Sequence, residues 1–336
     1  MIPDDACRAA LDLLGEIARA DEPLAPYTTY RVGGAAAVFA VPRSRDDLAM
    51  IAKALRLTAL PVLVVGRGSN LLVADAGFKG IAVSLAEFAD TISFAESGKS
   101  DSPQSLDDSM RPSVIVTAEA ACALPVVARR TVAAGLAGFE WAVGVPGSIG
   151  GAVRMNAGGH GADIAGCLVE VELFDLRRSA HDWVAADRLG LRFRGSDIAD
   201  HQVVLAARLR LHPGDQAVSE VMLGDIVKWR REHQPGGQNA GSVFVNPIPG
   251  ELAAAQLIDR LGLRGYAVGG AHVSDKHANF VQAGSGATAQ DVLRVMRHVR
   301  ATVAAESGFE LRSEVRLVGF EDLAPHEHHE SAGVTW

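Results

Sequence analysis

The alternation of apolar and polar positions predicts a chain that switches repeatedly between helix and strand. Apolar residues at Ala10, Leu11, Leu13, Leu14 and Ile17 mark a short amphipathic helix over residues 7–20. Residues 28–34, followed by the apolar run 36–41, read as strand, glycine turn, strand. Ser44 opens a helix over 45–57, and residues 62–65 form a short buried strand. That strand runs straight into Gly66-Arg67-Gly68-Ser69-Asn70 and then Leu71-Leu72-Val73. Further strands are predicted over 114–118, 169–176, 203–211 and 311–319, with a loop and strand over 272–280. Further helices are predicted over 124–135, 218–232, 253–261 and 289–307, the last two stopped by Gly262 and Gly308. Residues 96–113 are rich in Ser, Asp and Pro and read as a polar surface insertion.

Composition locates the unusual feature. The chain has 336 residues and 35 glycines, where average usage gives roughly 24. Seven glycines lie in residues 144–161, two in 66–68 and two at Gly33 and Gly34, which accounts for the excess. Acidic residues number 40 against 32 basic, a formal charge of −8 with no basic stripe, which argues against a dedicated nucleic-acid binder. Cys7, Cys122 and Cys167 are scattered, without metal spacing, as expected of a reducing compartment. The first 22 residues lack the apolar core of a signal peptide, and no run approaches the roughly 18 apolar residues of a membrane span. A cytoplasmic protein without a membrane partner is expected.

The glycine-rich segments are where chemistry is expected. Gly66 to Asn70 suits a phosphate cradle, in which successive N–H groups face one anion, or equally a tight turn between strands. It is neither a GxGxxG opening a helix nor a P-loop. Residues 144–161 carry apolar Val145, Ile149, Val153 and Met155 among the glycines, which a flexible linker would lack. Backbone wrapped around a large flat or diphosphate-bearing ligand explains that block. The tail histidines His326, His328 and His329 read as a solvated tail, so no metal site is expected.

Taken in order, these motifs resemble one family. Thr28-x-x-Arg31-x-Gly33-Gly34, Gly66-x-Gly68-Ser69-Asn70-Leu71-Leu72 and the run from Gly144 to Gly161 are similar to the flavin-binding part of UDP-N-acetylenolpyruvoylglucosamine reductases, the MurB family. Leu191 to Ser196 resembles its YRxS segment. Gln234-Pro235 with Gly241-Ser242-Val243-Phe244-Val245-Asn246-Pro247 resembles its QP…GSxFKNP segment. Ser274-Asp275-Lys276-His277-Ala278-Asn279-Phe280 and Ser313-Glu314-Val315 complete a match over about residues 22–320. The resemblance implies an α+β fold: a two-lobed FAD-binding domain of the vanillyl-alcohol-oxidase (PCMH) type plus a smaller α+β substrate-binding domain. The expected division is an N-terminal helix over 1–22, FAD lobes over 23–85 and 86–215, a substrate domain over 216–320 and a tail over 321–336.

The resemblance also implies an activity: NADPH-dependent, FAD-mediated reduction of UDP-N-acetylglucosamine enolpyruvate to UDP-N-acetylmuramate, in peptidoglycan precursor synthesis. It implies Arg194 as the cation at the substrate carboxylate, Ser242 as proton donor and Glu314 as its partner. For flavin it implies Arg31, Gly33, Gly34, Gly66, Gly68, Ser69, Asn70, Leu71, Val145, Pro146, Gly147, Ser148, Gly151 and Asn156. For substrate it implies Asn246, Lys276, His277 and Asn279. Two residues depart from the pattern: Val245 stands where the family often has Lys, and Phe193 where it often has Tyr. The short stretch 204–241 points to the subtype without an extra substrate-capping loop, and a monomer is expected. A flavin-dependent sugar or alcohol oxidase and an inactive UDP-sugar-binding flavoprotein are the competing readings.

Overall fold

The computed structural model describes residues 4–96 and 112–320. The expected polar insertion falls mostly outside them, and the tail with its three histidines wholly so.

In chain order the principal elements are α1 (Asp5–Leu14), β1 (Ala18–Pro23), β2 (Ala35–Ala40), α2 (Arg45–Thr58), β3 (Val62–Val65), β4 (Leu71–Val73) and β5 (Phe78–Ser84). Next come β6 (Ile92–Glu96), β7 (Val114–Glu119), α3 (Leu124–Ala133), β8 (Leu136–Ala137), α4 (Ile149–Met155), β9 (Gly158–Gly159) and β10 (Ala162–Asp163). They are followed by β11 (Leu168–Asp175), β12 (Ala180–Ala185), β13 (Gln202–Pro213), α5 (Gln216–His233) and α6 (Ala254–Arg260). The chain closes with β14 (Ala267–Val268), β15 (Ala271–Val273), β16 (Val281–Ala283), α7 (Ala289–Ser307) and β17 (Arg316–Val318). The fold is α+β.

The described residues form two compact units. The first contains residues 4–40, 53–84 and 231–320, and the second 41–52 and 85–230. In the first, a sheet runs in the order β1-β2-β5-β3, with β1 antiparallel to β2 and the others parallel. β17 pairs parallel with β4, register Arg316 to Leu71, so the last described strand lies against the strand after the first glycine turn. One core joins Tyr30, Val32 and Leu72 to Val243, Phe244 and the inner face of α7, including Val292, Met296 and Val299. In the second unit, β12-β11-β13-β7-β6 form an antiparallel sheet.

Local signals explain the helix ends. Thr288 Oγ1 accepts from Asp291 N–H while Asp291 Oδ2 accepts from Thr288 N–H, a reciprocal cap on α7. The next two open N–H groups, of Ala289 and Gln290, donate to the two carboxylate oxygens of Asp75, both at 2.9 Å. Gly308 ends α7 in the left-handed conformation, with its N–H on Ala304 O.

Three expectations are corrected. The first helix ends at Leu14 rather than near residue 20, because Gly15 turns the chain with a positive φ of 53° and donates back to Leu11 O. Residues 18–23 instead form β1, whose backbone pairs with β2 from Ala18–Ala40 to Pro23–Ala35. The strand expected over 28–32 is consequently a bend: Thr28 N–H and Thr28 Oγ1 both reach back to Ala25 O. The final strand covers only Arg316–Val318, where β4 offers it a partner.

Candidate active site

In the first unit, the first glycine turn joins β3 to β4. Its inner residues meet the protein's own backbone. Gly68 is buried, has φ +57°, and its carbonyl accepts from Thr29 N–H (3.2 Å) and Leu71 N–H (3.4 Å). Gly34 donates to Ala74 O at 2.9 Å, and a β-carbon there would stand 2.4 Å from Asp75 O. These glycines are therefore required by chain crossing inside the protein, a tighter reason than ligand contact. The outer residues Gly66 and Arg67 are exposed, as is Arg31, whose guanidinium donates to Pro26 O at 2.9 Å. Backbone amides flanked by two exposed arginines suit a diphosphate.

The Asn70 side chain faces inward, away from that role. Its Nδ2 donates to Glu314 O at 2.9 Å, and its own carbonyl accepts from Arg316 N–H at 2.9 Å. Leu71 lies in β4 and is buried; Ser69 is half-buried.

Ser242 and Glu314 are brought together. Residues 243–245 pair antiparallel with 312–314 around the bridge Phe244–Ser313. Glu314 N–H donates to Val243 O at 2.7 Å and Val245 N–H to Arg312 O at 2.9 Å. Ser242 thus precedes the residue that pairs with Glu314, and both are half-buried. Gly241, with φ +78° and its N–H on Asn239 Oδ1 (3.0 Å), turns the chain into this strand.

The substrate candidates occupy the same unit in different ways. Asn246 is exposed, and its Oδ1 accepts from Ala254 N–H at the start of α6 (3.1 Å). Lys276 is exposed and donates to Arg231 O at 2.6 Å. His277 Nδ1 accepts from Asn279 N–H at 3.2 Å, and its ring packs edge-on against Phe280. Burial, aided by the Arg264 charge, pushes the His277 pKa below the ordinary value of 6.5. Asn279 is 3% exposed, with its side-chain amide on the backbone of Phe244: Oδ1 accepts from Phe244 N–H (3.0 Å) and Nδ2 donates to Phe244 O (2.8 Å).

In the second unit, Arg194 sits at the tip of a two-residue turn. Arg192 N–H donates to Gly195 O (2.9 Å) and Gly195 N–H to Arg192 O (3.0 Å), leaving Phe193 and Arg194 as the central residues. Arg194 has φ +57°, a conformation that a non-glycine residue holds only when its surroundings impose it. Arg192 braces the turn through Gly190 O, Ser196 O and the Asp197 carboxylate. The Arg194 guanidinium lies 5.1 Å from the ring centre of Phe193, which is 57% exposed, and donates to Gly158 O at 3.1 Å.

The turn is thereby tied to the second glycine block. Asn156, buried and left-handed at the end of α4, donates from Nδ2 to Arg192 O (3.3 Å) and Asp163 Oδ2 (3.1 Å). In the block itself Pro146 and Gly151 are exposed, Val145 and Gly147 half-buried, and Ser148 buried. Among atoms outside its own local chain, a β-carbon on Gly151 would meet only Ser148 Oγ within 4 Å, at 3.6 Å, so its outer face is open.

Two residues with structural reach escaped the sequence reading. Asp75 caps α7 from 214 residues away, and no local pattern signals it. Tyr30 is fully buried in the core, where burial pushes its pKa well above the ordinary value of 10.

Comparison with known proteins decides the family. The chain is 40% identical to the UDP-N-acetylenolpyruvoylglucosamine reductase of Heliobacterium modesticaldum over 300 residues, 89% of this chain and 90% of the relative. The chain belongs to the UDP-N-acetylenolpyruvoylglucosamine reductase family. Residues 233–318 match that reductase's C-terminal domain family and residues 36–177 an FAD binding domain family. A second relative, from Gloeobacter violaceus, is 40% identical over 299 residues, covering 88% of this chain and 94% of its own. Among solved structures, UDP-N-acetylenolpyruvylglucosamine reductase from Thermus caldophilus superposes with a TM-score of 0.71 at 30% identity, covering 90% of this chain and 99% of that one. As a member of this family the chain is an FAD-dependent oxidoreductase of peptidoglycan precursor synthesis. Among the described residues no helix is long and apolar enough to cross a membrane, and no group of three or more His, Cys, Asp or Glu is placed to hold a metal ion.

Proposed function

We propose that the chain uses NADPH to reduce UDP-N-acetylglucosamine enolpyruvate to UDP-N-acetylmuramate. The observation that carries this reading is the pairing of residues 243–245 with 312–314, which sets Ser242 next to the Val243–Glu314 pair. The chemistry supplied by bound FAD is hydride relay from NADPH to C3 of the enolpyruvyl ether. Residues Arg31, Gly66 and Ser69, with Val145 to Ser148 and Gly151, would hold it, largely through main-chain amides, while Gly68 and Leu71 set the turn through their own hydrogen bond. Gly33, Gly34, Asn70 and Asn156 shape these turns through internal contacts.

Reduction at C3 leaves C2 in need of a proton and gathers negative charge on the neighbouring carboxylate. Ser242 holds that proton on Oγ. A serine hydroxyl is a weak acid, so it acts by placement, and Glu314 on the adjoining strand supplies a relay partner or steers the charge. Arg194 offers the carboxylate a rigid cationic fork from its turn tip. Asn246, Lys276 and His277 serve the UDP-sugar. Val245 brings no charge to the place where the family often has Lys, which removes a possible cation beside the substrate.

An anaerobic experiment on the FAD-loaded chain tests this. NADPH should bleach the flavin, and the enolpyruvyl substrate should restore its colour. Ser242→Ala should keep the bleaching and lose most of the recovery. A chain that stays colourless after incubation with FAD, or a Ser242→Ala variant slowed equally in both halves, would overturn the reading.

A further inference from the structure

We propose that Asn279 and Asn70 are positioning residues that together set Ser242 against Glu314. This rests on the reading of Ser242 as proton donor, and it assigns both asparagines to the protein's own backbone.

Asn279 grips the two residues that follow Ser242. Its main-chain carbonyl accepts from Val243 N–H at 2.9 Å. Its side-chain amide then meets both polar groups of Phe244, accepting from N–H at 3.0 Å and donating to the carbonyl at 2.8 Å. The amide acts as one residue of an extra strand, with a donor and an acceptor facing a donor and an acceptor. On the opposite side, Val243 O accepts from Glu314 N–H at 2.7 Å, and Glu314 O accepts from Asn70 Nδ2 at 2.9 Å. The order across the site is therefore Asn279, the 243–244 strand, Glu314, Asn70. Val243 and Glu314 are thus each held through both their N–H and their carbonyl. Asn70 also belongs to the glycine turn between β3 and β4, so the turn and the Glu314 strand share a bond.

The site requires an amide at both positions. At Asn279, a carboxylate would present two acceptors to Phe244, one of them facing a carbonyl that needs a donor. An aliphatic side chain would leave two buried backbone groups unpaired. At Asn70, an aspartate keeps shape and size but cannot donate to Glu314 O.

The test uses the FAD-loaded full chain with Asn279→Asp and Asn70→Asp, each measured in single turnover at saturating substrate. The expected result is a substrate-driven recovery slowed by about 10²-fold, the scale of a small misplacement of reacting groups, against a much smaller effect on NADPH bleaching, which reads any disturbance of the flavin turn. In a Ser242→Ala background the same substitutions should slow recovery no further, because the group they place is gone. Recovery at the normal rate in both variants, equal slowing of both half-reactions, or additive losses on top of Ser242→Ala would each overturn the inference. If Asn279→Asp fails to load FAD, Asn70→Asp at its half-buried position decides alone. If Ser242→Ala itself recovers normally, the failure lies in the proton-donor reading.

Discussion

Gly68 passes so close to Tyr27 that a β-carbon on it would stand 2.1 Å from the Tyr27 carbonyl oxygen, and its φ of +57° disfavours any side chain. Gly68→Ala must therefore move backbone as well as hold a strained residue. A loss of about 3 kcal/mol is expected, the sum of left-handed strain and overpacking. Gly262, with φ +68° and nothing within 4 Å of its β-position, isolates the first cost. Gly262→Ala should lose about 1 kcal/mol. Urea unfolding of the two variants checks the difference, and equal losses would show that the crossing at Tyr27 relaxes freely.

The contacts that place Glu314 use its backbone, through Val243 O and Asn70 Nδ2. Glu314→Gln keeps both of these backbone contacts, so the variant should still fold cooperatively. If the carboxylate takes part in proton transfer, the substrate half-reaction should slow by about 10²-fold or more while NADPH bleaching persists. A Glu314→Gln enzyme with normal recovery would remove this residue from the chemistry.

Asp75 satisfies two open N–H groups of α7 at once. Asp75→Ala should cost about 1–2 kcal/mol, the upper range for loss of a helix cap. Asp75→Asn, which keeps one acceptor, should cost less. Denaturant midpoints for the pair test the order, and the reverse order would show that the charge matters little beside packing.

His277 gives a pH dependence whose sign follows from its environment. Its folded pKa lies below 6.5, through burial first and then the Arg264 charge. The unfolded chain thus binds a proton more readily, so this contribution to stability is full above pH 6.5 and is lost as pH falls through the folded value. Protonation also removes the lone pair on Nδ1 that accepts from Asn279 N–H. His277→Asn should flatten the fall in stability between neutral and mildly acidic pH, measured by thermal melts across that range. An unchanged slope would place the acid sensitivity elsewhere, with His160 and His201, also lowered by burial, the next candidates.

Most helices were legible because their signals are local, but α4, inside the second glycine block, was not expected. α7 matches its expected span because Thr288, Asp291 and Gly308 carry the start and stop within the segment itself. The apolar strand β3 was legible from its composition. β1 was not: half of Ala18–Pro23 is charged and most of it is exposed, and only the backbone of β2 makes it a strand. The motifs likewise identified the family and nominated Ser242, Glu314 and Arg194.

What those residues lean on was decided by tertiary structure alone. An asparagine reads the same in sequence whether its amide meets a ligand or a distant peptide. Asn70 donates to a carbonyl 244 residues away and Asn279 pairs with a residue 35 away, separations no local pattern encodes. The glycines divide in the same way. Composition located the excess, but whether a missing side chain leaves an open face, as at Gly151, or makes room for the protein's own backbone, as at Gly34 and Gly68, depends on what the folded chain brings within a β-carbon's reach.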